Sequence, residues 1–107
     1  MITFHLRYTG TDGSARAFAE EMLSSGTVSA IRSEPGNLRY EYAILLEDPE
    51  TVLLIDSWAD EEALDYHHGS PIMEKIVMLR DKYDLHMTME RYISAEENPA
   101  DAGFIRR

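Results

Sequence analysis

The hydrophobic residues of this chain change their spacing in a fixed order, and that order limits the fold more than any other feature. Residues 2 to 9 alternate, with Ile2, Phe4, Leu6 and Tyr8 on one side and Thr3, His5, Arg7 and Thr9 on the other, the spacing of a strand with two unlike faces. Gly10, Asp12, Gly13 and Ser14 end it with turn chemistry. Ala15, Phe18, Ala19, Met22 and Leu23 then recur at intervals of three and four, one helix stripe backed by Arg16, Glu20 and Glu21 on the wet side. Gly26 weakens that helix, and Val28 and Ile31 resume it in a shifted phase. Pro35-Gly36 stops it, because proline disfavours helical geometry at Glu34 and glycine accepts the turn.

Leu38 to Leu46 and Thr51 to Trp58 are rich in aromatic and aliphatic residues, and the polar segment Glu47-Asp48-Pro49-Glu50 is expected to join them as a hairpin loop. Asp60 suits the N-cap of a short helix running to His67, with Glu61 and Glu62 where the helix dipole favours negative charge. Ser70-Pro71 marks a second start, Ser as cap and Pro in the first turn. Ile72, Ile76, Leu79 and Tyr83 form its apolar stripe, widened by Met73 and Val77. Leu85 to Ile93 alternates again, with Leu85, Met87, Met89 and Ile93 on one face and His86, Thr88, Glu90 and Tyr92 on the other. Strand, helix, strand, strand, helices, strand is the split β-α-β order of a ferredoxin-like α+β domain, in which helices cover one face of a four-stranded antiparallel sheet. The run Val52 to Ile55 is apolar at every position, so the sheet asks for cover on both faces. One domain of this length has no spare helix for the second, and a two-fold homodimer through the open face is expected. Residues 1–93 form the domain. Residues 94–107 have no apolar period and read as an irregular C-terminal tail, ending in Phe104-Ile105-Arg106-Arg107, either an arm on a partner subunit or a frayed end.

A chain of 107 residues holds one domain. Its 20 Asp and Glu against 10 Lys and Arg give a formal charge of −10, which sets nucleic acid and anionic membranes aside as partners. The apolar runs fall far short of the roughly 20 residues that span a bilayer. The N-terminal segment lacks the pattern of a secretory leader, so the cytoplasm is the expected compartment. Zero cysteines exclude disulfides, thiolate metal sites and thiol nucleophiles. No GxGxxG, Walker loop, HExxH or nucleophile elbow occurs, so nicotinamide, nucleotide and serine-hydrolase chemistry have no support.

Candidate site residues are few. Trp58, the single tryptophan, falls where the third strand gives way to a helix, as either a core anchor or the wall of a pocket. His67 and His68 close the following helix. Neighbouring helical positions point about 100° apart, which suits the pair poorly to gripping one metal ion, so no metal is expected. One ring then faces inward, structural or catalytic, and the other faces water. His5 and Arg7 share a strand face, as do His86 and Tyr92, and the first and last strands are neighbours in a ferredoxin-like sheet. If these faces coincide, the groups belong to a polar cavity, a dimer seam or a solvated surface. Asn37 serves the turn after Gly36, while Arg39, Tyr40 and Tyr42 offer a charge and two phenols to an interface or an aromatic ligand.

Two segments carry a resemblance: Glu34-Pro35-Gly36-Asn37-Leu38-Arg39-Tyr40-Glu41-Tyr42, and Ile55-Asp56-Ser57-Trp58 followed by Glu62-Ala63-Leu64-Asp65-Tyr66-His67 and Ser70-Pro71. The chain from about residue 2 to Tyr92 resembles the antibiotic biosynthesis monooxygenase domain, whose ferredoxin-like protomers pair into dimeric α/β barrels. The resemblance implies a monooxygenase that inserts molecular oxygen into a small quinol- or anthrone-like aromatic without metal, flavin or haem. A base deprotonates the phenolic substrate, and the resulting carbanion passes an electron to oxygen. His67 matches as the candidate base and Trp58 as a substrate contact, with Asn37, Arg39, His5, Tyr40 and Tyr92 as further contacts. The chain departs from the anthrone oxygenases at Leu64, where they carry a tyrosine. It lacks a histidine in residues 71 to 83, where haem-degrading relatives place their axial ligand. Another branch, which isomerises a phosphorylated keto sugar, is similar in Gly36 to Arg39 and at His67 and would call on Arg7, Arg32 and Arg39 for phosphate. A non-catalytic dimer that binds a small ligand is the third reading.

Overall fold

The alternation of residues 2 to 9 becomes β1 (Ile2–Thr9), and its Ile2, Phe4, Leu6 and Tyr8 are all buried. The computed structural model describes residues 1–106, so Arg107, the last residue of the expected arm, lies outside the described residues. After β1 come α1 (Ser14–Ser24), α2 (Thr27–Arg32), β2 (Asn37–Leu45), β3 (Asp48–Trp58), α3 (Glu61–His68), α4 (Ile72–Lys82) and β4 (His86–Ile93). The strands form one antiparallel sheet in the order β2-β3-β1-β4, the ferredoxin-like arrangement with the first and third strands central. The core lies between one face of this sheet and the helices, where Phe18, Met22, Ile31, Trp58, Ile76 and Leu79 are almost wholly buried.

Gly26, at φ 80°, separates α1 from α2, as its backbone freedom suggested. Asp60 caps α3, its Oδ1 accepting from the Ala63 amide at 2.9 Å.

Four local expectations are corrected. Leu45 pairs with Asp48, so the hairpin turns on Leu46 and Glu47 alone, and the expected loop residues Asp48, Pro49 and Glu50 belong to β3. The Asp48 carboxylate accepts from the Glu50 amide at 3.3 Å and the Thr51 hydroxyl at 2.6 Å, which holds those residues as an irregular bulge. Ser70 does not cap α4. Pro71 is already helical, the Met73 and Glu74 amides donate to the carbonyls of Ser70 and Pro71, and the buried Ser70 hydroxyl has no partner among the described residues. The apolar stripes are narrower than expected, since Leu23 lies in the last turn of α1 beside Ser25 and Gly26 and Val77 lies a helical step off Ile76, both exposed. The tail is not wholly irregular, because Pro99–Phe104 forms a 3-10 turn in which every residue is exposed.

The faces of β1 and β4 do coincide. Thr3 faces Tyr92, His5 faces Glu90 and Arg7 faces Thr88, the His5 and Tyr92 rings sit 4.9 Å apart, and Arg7 pairs with Glu90. This polar set occupies the sheet face that no helix covers. It shares that face with half-buried Leu53 and Ile55. The edge strand β4 is exposed at every position.

Candidate functional site

A cavity of about 290 Å³ opens between the covered sheet face and the last two helices. Phe4, Tyr8 and Tyr40 give it aromatic walls, Asp56 of β3 and His67 of α3 both line it, and Arg80 enters from α4.

His67 is positioned by three contacts. The capped start of α3 fixes the helix, and the imidazole is buried on the inner side. Its Nδ1 lies 2.9 Å from Oε1 of Glu34, a residue of the turn between α2 and β2. Its ring stacks on Trp58 with centroids 4.5 Å apart and planes 28° from parallel. A carboxylate at Nδ1 selects the tautomer that carries its proton there, which leaves Nε2 as the lone-pair nitrogen and stabilises an imidazolium once formed. A base in this cavity therefore has its orientation supplied by Glu34 and its plane by Trp58.

Trp58 in turn donates its indole N–H to Oδ1 of Asp56 at 2.6 Å. The alternation Val52, Leu54, Asp56, Trp58 along β3 turns this carboxyl inward with its apolar neighbours. Burial pushes its pKa up to about 7, the Trp58 hydrogen bond pulls it down, nearby Glu34 pushes it up and the Arg80 guanidinium pulls it down. Arg80 donates from Nη2 to the Tyr8 hydroxyl at 2.8 Å and lies 5.3 Å from the centre of that ring, while its buried Nε has no partner among the described residues. Burial raises the Tyr8 phenol and pushes Tyr40 well above its ordinary range, so both stay neutral near pH 7. The Asp56 carboxyl of the cavity can thus exchange its proton near neutrality.

The sequence-derived candidates divide. His67 and Tyr40 line the cavity. Trp58 is completely buried behind His67, a core residue that also orients the site. Asn37 lies outside the cavity, its amide within 3.3 Å of the Arg39 carbonyl and 3.4 Å of the Ser57 carbonyl, as suits a turn residue. Arg39 is exposed and 3.8 Å from Glu41, and His5 and Tyr92 sit on the uncovered face. The other two cations of the isomerase reading also lie elsewhere, Arg7 on Glu90 and Arg32 donating to the Tyr40 carbonyl. His68 is exposed at the cavity rim, its ring 5.7 Å from that of His67, and partial burial followed by the neighbouring His67 lowers its pKa. Among the described residues no three His, Asp or Glu side chains are grouped to hold a metal ion.

Asp56, Glu34 and Arg80 escaped the reading of the sequence as site residues. The signal for Asp56 was present, a carboxyl in phase with Leu54 and Trp58 on a buried strand face. Arg80 likewise follows Ile72 and Ile76 at intervals of four. Glu34 carried no signal beyond preceding proline.

The sequence pattern of the antibiotic biosynthesis monooxygenases matches residues 1–78. No protein of curated function matches the chain. Among solved structures, a Deinococcus radiodurans protein whose name places it with the antibiotic biosynthesis monooxygenases superposes with a TM-score of 0.78 at 18% identity, over 92% of this chain and 96% of that one. SnoaB, a cofactor-independent oxygenase from Streptomyces nogalater, gives 0.73 at 17% identity over 92% and 96%. A conserved protein from Methanosarcina mazei Go1 gives 0.72 at 23% identity over 85% and 89%. At these identities the likeness is one of fold.

Proposed function

The chain belongs to the antibiotic biosynthesis monooxygenase family, and on that premise we propose that it is a cofactor-independent monooxygenase of a small quinol- or anthrone-like aromatic. The observation that carries this reading is the Glu34–His67 pair on the wall of an aromatic-lined cavity. The cavity's volume sits at the small end of ligand pockets, and its ring-bearing walls suit a flat substrate. Nε2 of His67 takes the acidic proton of the substrate, Glu34 stabilises the imidazolium, and the carbanion passes an electron to molecular oxygen. SnoaB, named as a cofactor-independent oxygenase, shares the fold in which these groups are set.

The three cations of the isomerase reading, Arg7, Arg32 and Arg39, all lie outside the cavity, and the cations that line it are Arg80 and Arg91. A non-catalytic ligand-binding dimer would use the same cavity without needing the Glu34–His67 pair.

The test is oxygen uptake by metal-free protein with a panel of quinols and anthrones. Wild type is expected to consume oxygen, and His67→Ala to lose about a hundredfold or more of that rate. Absence of uptake across the panel would sink the oxygenase reading. Uptake untouched by the substitution would remove His67 from it.

The same reading includes a homodimer, supported by the uncovered sheet face with Leu53 and Ile55 and by the exposed residues Met87, Met89 and Ile93 of β4. Light scattering at micromolar concentration is expected to return twice the chain mass, and a monomer mass would contradict the pairing.

A further inference from the structure

We propose that Asp56 is a second catalytic residue of the cavity, the acid that protonates the substrate's peroxide and then removes its last C–H proton. The inference rests on the oxygenase reading above and adds a group that reading does not use.

The proton balance defines the role it would fill. Converting a ring methylene and molecular oxygen into a ketone and water removes two protons from one carbon and delivers two to the departing oxygen. His67 takes the first proton and becomes an imidazolium. The carbanion and molecular oxygen join through electron transfer, forming a C–O bond and leaving a peroxide anion on a carbon that keeps one C–H bond. A donor must now supply a proton to give the hydroperoxide. In the last step the second C–H proton leaves to a base, the electron pair of that C–H bond forms the carbonyl, the O–O bond breaks, and the departing hydroxide takes the imidazolium proton as water. His67 ends neutral as it began. In this sequence the group that donates to the peroxide accepts the second C–H proton, so that it too ends as it began. An imidazole working alone would have to give up its proton and take another between the two steps, whereas a second carrier lets His67 hold its proton until the O–O bond breaks.

Asp56 has the geometry of the other. It lines the same cavity as His67 and is 8% exposed. Its Oδ1 accepts from the Trp58 indole, and among the described residues no hydrogen bond occupies Oδ2. The groups around it are Tyr8 from β1, Tyr40 from β2, Glu34 from the turn before β2, His67 from α3 and Arg80 from α4, and Glu61, Asp65 and His68 of α3 and Arg91 of β4 also line the cavity. Both phenols stay neutral near pH 7, and burial holds Asp56 as a carboxylic acid up to about pH 7. Trp58 joins the two roles, holding the acid by its N–H and the base by its face.

The experiment compares kcat for oxygen uptake by wild type and Asp56→Asn from pH 5 to 9, together with KM. Asn keeps an acceptor for the Trp58 indole but carries no proton to give. The variant is expected to lose about a hundredfold of kcat below pH 7 with little change in KM. The ratio of wild-type to variant kcat should fall about tenfold for each pH unit above 7, because His67 and Glu34 are common to both proteins. A ratio independent of pH, or a variant with wild-type kcat, would overturn the role of Asp56 while leaving the oxygenase reading intact. Wild type that consumes no oxygen would overturn both.

Discussion

Asp56→Asn is expected to gain stability relative to wild type as pH rises from 4 to 8, by about 4 kcal/mol at the upper limit. In the unfolded chain the carboxyl ionises near 3.8, whereas burial holds its proton in the fold up to about 7. Between those values the unfolded state binds fewer protons than the native state, so wild-type stability declines as pH rises. The contribution is fully present below 3.8 and lost above 7, the reverse of a salt-bridged aspartate. Asn has no such proton, and Glu34, His67 and Arg80 are shared, so the difference between the two proteins isolates the one carboxyl. Urea unfolding at pH 4, 6 and 8, followed by Trp58 fluorescence and by circular dichroism, measures it. A difference constant across pH would mean that Asp56 is ionised in the fold, which would also remove the acid proposed for the cavity. An effect of this size is a large fraction of the roughly 5–15 kcal/mol that typically holds a domain together.

The architecture was legible in the chain because it rests on periodicity. Each strand and helix sets its own hydrophobic spacing, and the order of those spacings admits few topologies. What escaped was local and depended on which of several donors reached an acceptor first. Asp48 drew the expected loop into β3 by accepting from Glu50 and Thr51, and backbone carbonyls displaced Ser70 as a cap. At the site, His67 and Tyr40 were reached because an imidazole at a helix end and a phenol in a strand stand out by type. Asn37, Arg39, His5 and Tyr92 stand out equally by type, yet the turn and the face of the sheet carry them away from the cavity. Glu34 and His67 are far apart in sequence, and no spacing rule connects them. Asp56 was the readable omission, since a charge in phase with buried neighbours is an anomaly that periodicity itself exposes.

Gly36→Ala is expected to destabilise the fold by about 3 kcal/mol, with two separable causes. The residue has φ 78°, and a Cβ placed there would stand 2.4 Å from the Cβ of Ala63. The left-handed backbone costs a non-glycine residue about 1–2 kcal/mol, and overlap with a packed neighbour adds about 1–3 kcal/mol. The contact matters because it is where the turn after α2 seats α3: the Gly36 carbonyl accepts from the Ala59 amide at 2.8 Å, two residues after Glu34 and just ahead of the helix that carries His67. Relief of the overlap must move α3 outward, which lengthens the 2.9 Å Glu34–His67 contact. Adding Ala63→Gly removes the overlapping atom but not the backbone strain. The double variant should therefore recover only the overlap part in a double-mutant cycle, less the roughly 1 kcal/mol that glycine costs within a helix. Chemical denaturation of the four proteins measures the coupling, and His67 imidazole shifts in their NMR spectra report whether Glu34 still holds the ring. Additive losses would show that α3 is seated elsewhere than on Gly36. Coupling with a displaced His67 would show that one glycine sets both the packing of that helix and the aim of its base.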